Sequence, residues 1–401
     1  MSTPVVFSYP SSRLALTALP PLALYVHIPW CVRKCPYCDF NSHESRESLP
    51  QEPYVEALIA DLEAALPEVW GRRVHSVFFG GGTPSLFSVQ AIERLLSAFR
   101  SRLTLNDAEI TLEANPGTFE AEKFRGYRDA GVNRLSIGIQ SFNDRHLRAL
   151  GRIHGADEAR RAIEIAQRYF DNINLDVMYA LPDQTLDEAQ QDIDTALGTT
   201  VAHLSFYHLT LEPNTQFHKY PPPLPDDDAA AAIHDLVETR LTAAGYEHYE
   251  TSAYARSGRQ CAHNLNYWRF GDYLGIGAGA HAKISFPDRI VREQRVRGPI
   301  DYLRRVPQRT HVAERRTLEQ AELPFEFILN NLRLTEGFDV ASFSERTGLP
   351  ISKIDAPLAE AERRGLITRD HRRIAPTELG RRFLNDLQMI FLPEKRDAQP
   401  A

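Results

Sequence analysis

The chain is poor in cysteine, with four in 401 residues: Cys31, Cys35, Cys38 and Cys261. A disulfide-stapled secreted scaffold spreads its cysteines through the chain, whereas three of these fall within eight residues, which points to a metal or cluster site. Basic charge is not in excess: 46 Lys and Arg stand against 53 Asp and Glu, a formal net charge of −7. Nothing in that balance argues for nucleic acid or an anionic membrane surface as a partner. No apolar run approaches the roughly 18 residues that would span a bilayer. Met1 to Pro21 has no basic stretch followed by an unbroken apolar one, so residues 1–20 read as a loose tail and not as a secretory leader. Together these features imply a cytoplasmic protein, with peripheral contact at a membrane left open.

What is present is ordinary globular composition, 43% hydrophobic and 25% charged, enough for one large domain and a smaller one. Strand patterns occur at Leu22–Ile28, Val74–Phe79, Glu109–Ala114, Arg134–Gln140, Ile173–Tyr179 and His203–Leu209. Amphipathic helical stretches lie between and after them, at Tyr54–Leu66, Val89–Arg100, Ala121–Asp129, Ala156–Tyr169, Leu186–Leu197 and Asp227–Ala244. This βαβα alternation predicts an α/β fold around a parallel sheet.

Strands covered on both faces read as near-continuous apolar runs, and these do not. Glu109, Thr111 and Glu113 share one face, with Ile110 and Leu112 on the other. Ser136, Gly138 and Gln140 oppose Leu135, Ile137 and Ile139, and Asn172, Asn174 and Asp176 oppose Ile173, Leu175 and Val177. Tyr25 and His27 oppose Leu24, Val26 and Ile28 in the same way. Because side chains alternate across a strand, one face takes the helices and the polar face lines an interior. A partial (β/α)6 barrel with a ligand-filled lumen over residues 21–300 accounts for this. An open doubly wound sheet with a few tolerated polar residues is the competing arrangement.

Pro221–Pro225 reads as an extended connector, Glu247–Tyr254 as a further strand, and the glycine-rich Leu274–Gly279 as the close of the large domain. Residues 311–392 have a different order: helical stretches near Glu319–Leu334, Val340–Thr347 and Ile351–Arg364, a hairpin at Leu366–Ile374 and a last helix at Glu378–Ile390. That order predicts a smaller C-terminal winged-helix-like α domain. Its arginine pairs (Arg363–Arg364, Arg372–Arg373, Arg381–Arg382) are matched by local acidic residues, which favours packing over DNA binding.

Immediately after the first strand stands Cys31-Val-Arg-Lys-Cys35-Pro-Tyr-Cys38. Thiolates select zinc or iron–sulfur clusters, and structural zinc requires four closed ligands. Three cysteines on a [4Fe–4S] cluster leave one iron open, and an open iron suits binding of a cofactor or substrate. This Cys-x3-Cys-x2-Cys pattern resembles the radical-SAM family signature. The resemblance implies that Cys31, Cys35 and Cys38 hold the cluster and that S-adenosylmethionine (SAM) chelates the open iron.

A glycine run, Gly80-Gly81-Gly82-Thr83-Pro84, follows the second strand, where backbone can approach a ligand closely. With Glu113-Ala-Asn-Pro-Gly, Gly138-Ile-Gln-Ser-Phe, Asp176-Val-Met-Tyr-Ala-Leu-Pro and His203-Leu-Ser-Phe-Tyr-His-Leu, it resembles the oxygen-independent coproporphyrinogen III oxidase family across nearly the whole chain. The resemblance implies SAM contacts from Tyr25, Gly81, Gly82, Thr83, Glu113, Gln140, Arg152 and Asp176, with Thr210 a further candidate. The strand alternation independently places Tyr25, Glu113, Gln140 and Asp176 on polar faces.

Two departures bear on function. Where the oxidases have a fourth cysteine, this chain has Phe40. And His263-Asn-Leu-Asn-Tyr267-Trp268 resembles the HNxxYW signature of the family's heme-chaperone members. Neutral histidine is a common axial ligand of heme iron, and Tyr267 and Trp268 supply flat apolar surface with polar edges. Cys261 is the alternative ligand. The resemblance implies heme as cargo, acceptor hemoproteins (respiratory enzymes at the membrane among them) as partners, and a homodimer as one assembly. A porphyrinogen-oxidising radical enzyme is the other reading; no catalytic residue is assigned.

Overall fold

The structure, a computed structural model, describes residues 14–45, 49–117 and 121–393. At its centre are six parallel strands: β1 (Leu22–Ile28), β2 (Val74–Gly81), β3 (Glu109–Ala114), β4 (Arg134–Gln140), β5 (Ile173–Tyr179) and β6 (His203–His208). They are neighbours in chain order, with no reversal of the kind that defines a doubly wound sheet. The crossovers contain α1 (Gln51–Val69), α2 (Val89–Arg100), α3 (Ala121–Ala130), α4 (Ala156–Gln167) and α5 (Leu186–Gly198), and α6 (Asp227–Ala243) follows β6. The fold is the partial (β/α)6 barrel that the strand alternation predicts.

Local chemistry accounts for the helices. In α2 the Ser88 side chain accepts the Ala91 N–H at the N-terminus, and Ala91, Ile92, Leu95, Leu96 and Phe99 recur at helical spacing on the buried face. In α5 Thr185 and Glu188 form a capping box. These apolar faces meet Leu24, Val26 and Ile28 of β1, Ile110 and Leu112 of β3, Leu135, Ile137 and Ile139 of β4, and Ile173, Leu175 and Val177 of β5 in one core.

The sheet extends further than the sequence reading anticipates. Glu247–Tyr254 is a hairpin of two strands, β7 (Glu247–Glu250) and β8 (Ala253–Ala255), with β8 on the edge of β6. A short helix, α7 (Ala262–Trp268), leads to β9 (Asp272–Ile276), which pairs in parallel with β1. Strands β10 (His281–Phe286), β11 (Arg289–Arg295) and β12 (Val312–Thr317) continue antiparallel to make twelve strands. Their charged residues hide them in sequence: Glu293 pairs with Arg295 and Arg315, and Arg292 with Glu326. Cross-strand pairing, more than intrinsic preference, makes these segments strands.

The C-terminal unit has α8 (Leu323–Asn331), α9 (Val340–Thr347) and α10 (Asp355–Arg363), then a hairpin of Ile367–Arg369 and Arg373–Pro376. Phe338–Asp339 adds a third strand. The last helical stretch is divided at Phe383 into Glu378–Arg382 and Leu384–Met389. Leu14 and Leu16, read in sequence as part of a loose tail, are buried in this unit's core. Arg381 and Arg382 reach Glu238 and Asp235 of α6 at 3.2 and 2.9 Å, so these arginines serve packing.

The contact between α1 and the strands beyond β9 is held by one buried carboxylate. Asp61 of α1 accepts from the Gly277 N–H (3.1 Å), the Tyr302 hydroxyl (2.8 Å) and His311 Nε2 (2.9 Å), and pairs with Arg295 (3.1 Å). Burial pushes its carboxyl up, but Arg295 and His311 more than offset this and hold it below its ordinary range. Removing one member leaves an uncompensated buried charge, so Asp61→Ala is expected to lose about 3–5 kcal/mol. Urea unfolding measures it; a loss below about 1 kcal/mol would show that the remaining partners re-pair among themselves.

Candidate cluster and cofactor cavity

Strand register stacks the polar faces into layers. Ser76 lies beside Glu109 at the bottom, then Phe78 beside Thr111 and Arg134. Above them Glu113, Ser136, Asn174 and His203 are neighbours, and above those Gly138, Asp176 and Ser205. Of these, Phe78, Arg134, Glu113, Ser136, Asn174, Gly138, Asp176 and Ser205 line a cavity of about 530 Å3 whose mouth is the cysteine loop. Its walls include Cys31, Cys35, Cys38, Gly81, Gly82, Thr83, Glu113, Gln140, Arg152, Asp176 and Thr210. Eleven sequence-picked residues from seven separate segments thus converge on one space. Tyr25 is not among the walls: its hydroxyl meets His27 Nδ1 at 3.0 Å and its ring lies beside Phe78.

The loop carrying the cysteines is held from both sides. Asn41 donates to the Ala278 and Arg297 carbonyls, both at 2.9 Å, and its own carbonyl meets His27 Nε2 at 2.9 Å. Phe217 N–H reaches the Pro36 carbonyl at 3.0 Å. The glycine run packs directly beneath: a Cβ on Gly82 would come within 2.5 Å of the Trp30 carbonyl oxygen, and Gly81 has φ +115°. These two positions therefore require glycine. Phe40, at the fourth-cysteine position, is 60% exposed on the cavity rim.

The donor set fits a cubane cluster. All three cysteines are free and half-buried. A cubane distributes its thiolates over separate irons, which suits three cysteines spaced along one loop at the cavity mouth. Burial pushes the Cys31 thiol up to about 11 and raises Cys38 as well, so the thiolates require compensating charge from a metal centre. Arg152 already faces the loop, 3.7 Å from Cys35 Sγ, while its other end holds Asn115 Oδ1 (2.6 Å) and the Gly138 carbonyl (2.8 Å).

Burial raises two acids of the cavity wall, Glu113 and Asp176. Burial first, then Asp176, pushes Glu113 up to about 8, even though it accepts the Gly81 N–H at 3.1 Å. Asp176 is raised by burial against hydrogen bonds from Ser136 (2.9 Å) and Asn174 (2.8 Å). Such groups favour a cationic ligand that restores their charge. Thr210 stands at the rim, donating to Glu212 at 2.7 Å.

Helix α7 closes the bottom of the barrel. His263 Nδ1 lies 3.1 Å from Ser76 Oγ, and the ring packs 4.9 Å from Phe78 and 6.2 Å from Tyr25. Asn264, its neighbour, lines the cavity. Burial, then Arg134, holds the His263 imidazole down to about 3, hence neutral at physiological pH. Tyr267 and Trp268 meet edge to face at 4.9 Å; Tyr267 leans on Tyr273 (5.1 Å), and the Arg333 guanidinium lies 4.5 Å over the Trp268 ring. Cys261 is fully buried, its Sγ 3.5 Å from Glu109 Oε1, and burial pushes its thiol up to about 12. Sequence reasoning passed over Arg134 and Tyr207, which also line the cavity. Arg134 opens its strand, and the register places it beside Thr111 on the inner face.

Residues 25–196 match the model of the Radical SAM superfamily, and residues 318–383 that of the HemN C-terminal domain. Over 384 residues the chain is 50% identical to the heme chaperone HemW of Escherichia coli K12, covering 94% of this chain and 100% of that protein. The chain belongs to the HemW family. It is also 34% identical to the mitochondrial radical S-adenosyl methionine domain-containing protein 1 of Bos taurus, over 94% of this chain and 88% of that one. The solved structure of coproporphyrinogen III oxidase (HemN) from Escherichia coli superposes with a TM-score of 0.80 at 24% identity, covering 93% and 90% of the two chains. At that identity the likeness bears on fold alone. Membership of the HemW family, within the radical-SAM superfamily, implies a [4Fe–4S] cluster and SAM. No described helix is long and apolar enough to cross a membrane.

Proposed function

We propose that this HemW-family protein is a heme chaperone, which binds heme and passes it to acceptor hemoproteins while carrying a [4Fe–4S] cluster on Cys31, Cys35 and Cys38. SAM takes the lumen lined by Gly81, Gly82, Thr83, Glu113, Gln140, Arg152 and Asp176, with Thr210 at the rim and Tyr25 beneath. When bound, the cluster supplies a single electron to the SAM sulfonium. The protein's part is to shelter that chemistry from water and to hold the ligand's polar groups.

The observation that carries the chaperone reading is the state of His263. Its ring is neutral, and when Nδ1–H donates to Ser76 Oγ the lone pair lies on Nε2. That is the tautomer a metal-ligating histidine adopts, fixed by a hydrogen bond from its second nitrogen. Tyr267 and Trp268, one helical turn on, present aromatic surface suited to a porphyrin edge. Phe40 at the rim supports the same reading, since the fourth cysteine of the oxidases is absent.

Heme titrated into the anaerobically reconstituted protein is expected to give a saturating Soret band at one heme per chain. His263→Ala is expected to weaken it at least tenfold, the scale of losing one good ligand. No saturable binding by the intact protein would overturn the reading. Unchanged binding by the variant would move the ligand, with Cys261→Ser the next to test.

A further inference from the structure

The floor of the lumen holds a cation with too little to bind. Arg134 is 2% exposed and lines the cavity. Among the described residues its Nε has no hydrogen-bond partner. The carboxylate it pairs with, Glu109, stays 3.9 Å away. The reason is visible next to it: Glu109 Oε1 already takes the His263 N–H at 3.3 Å and the Cys261 thiol at 3.5 Å. Glu109 is turned toward the start of α7, away from hydrogen-bonding reach of Arg134. Buried guanidinium groups are ordinarily saturated with acceptors, and this one faces a cavity.

We propose that Arg134 is the anchor of a carboxylate-binding subsite at the bottom of the lumen. Register puts Arg134 beside Thr111, one layer below Glu113 and Ser136 and two below Asp176. The subsite therefore lies deeper than Glu113 and Asp176, at the level of Tyr25. A planar guanidinium matches a carboxylate in bidentate fashion. Ser136 and Asn174, one layer above Arg134, are neutral hydrogen-bonding side chains that suit the rest of a small polar ligand, with Ser205 a layer higher. Charge favours a monoanion over a phosphate, because a single guanidinium at this layer balances one negative charge. The carboxylate comes either from a propionate side chain of the porphyrin or from a separate small acid. The subsite stands whether or not heme is the cargo.

The test uses the full chain, cluster-reconstituted, as wild type, Arg134→Gln and Arg134→Lys. Acetate is the minimal probe, with chloride at equal ionic strength as control, and melting temperature is the readout. Acetate is expected to raise the wild-type midpoint by about one to two degrees beyond chloride, with no such excess in Arg134→Gln and a reduced one in Arg134→Lys. Should the glutamine variant not fold, the lysine variant decides, because it keeps the charge and loses the fork. Hemin and hemin dimethyl ester then distinguish the sources. A porphyrin propionate predicts at least tenfold weaker hemin binding in the variant and equal binding of the ester by both proteins. Hemin binding independent of Arg134, with the acetate response still lost, assigns the subsite to a separate acid. Failure of wild type to bind hemin sinks the chaperone reading alone, since the acetate comparison does not involve heme. An acetate response equal in wild type and variants, or absent from wild type, overturns the subsite and leaves Arg134 as a counter-charge to Glu109 and Asp176.

Discussion

Cys38→Ala, reconstituted anaerobically with iron and sulfide, is expected to retain less than about a tenth of the wild-type cluster, because a cubane with an open iron has no ligand in reserve. The structure makes the comparison specific. Cys31, Cys35 and Cys38 share one loop at the cavity mouth, and Cys261 is the only other cysteine in the sequence. Cys261 sits at the opposite end of the lumen, against Glu109 and the start of α7. It cannot replace a lost ligand without unfolding the barrel floor. Cys261→Ser is therefore expected to carry a full cluster. Iron and sulfide analysis with visible absorbance checks both; normal cluster content in Cys38→Ala, or its loss in Cys261→Ser, would overturn the assignment. Because burial raises the reduced Cys31 and Cys38 thiols, cluster assembly is also expected to speed up with rising pH.

SAM binding to the cluster-loaded protein is expected to strengthen by up to about tenfold per pH unit between pH 6 and 8 and to level off above, with Glu113 as one source. The sign follows from the direction of the shift. Glu113 is pushed from 4.5 up to about 8 by burial and by Asp176, so at pH 7 it is protonated. A sulfonium cation in the same cavity favours the carboxylate, so binding below pH 8 must release that proton. The α-amino group of SAM titrates in the same range, which is why Glu113→Gln is the necessary comparison. Calorimetry in buffers of different ionisation enthalpy is expected to count close to one proton more for wild type than for the variant at pH 7. Equal counts would place the cationic ligand elsewhere. The ligand-free protein carries the opposite trend. A carboxyl whose folded value exceeds its unfolded one contributes stability that is present below pH 4.5 and is lost as pH rises through about 8. Glu113→Gln should flatten that loss.

Sequence by itself determined the barrel. The sequence pattern placed six strands whose ends agree with the structure to within two residues, and four of them alternate because a strand with one face on helices and one on a polar cavity has to. The same alternation placed Glu113, Gln140 and Asp176 on the inner face, and the cysteine spacing singled out the loop that lies at the cavity mouth. These are local signals: spacing and face depend on the residues beside one another in the chain.

Tertiary structure decided the rest, for the complementary reason. Strands β10 to β12 carry charges whose partners lie in other strands and helices, so nothing within each segment announces a strand. Leu14 and Leu16 acquire a buried position only because a C-terminal core more than 300 residues away receives them. His263 is a lone histidine until Ser76, 187 residues earlier, fixes its ring nitrogen. Arg134 is one arginine among many until the register turns it into the lumen and Glu109 turns toward α7. Burial, charge pairing and the missing hydrogen bond that distinguish these residues are properties of long-range contacts, which a single sequence does not display.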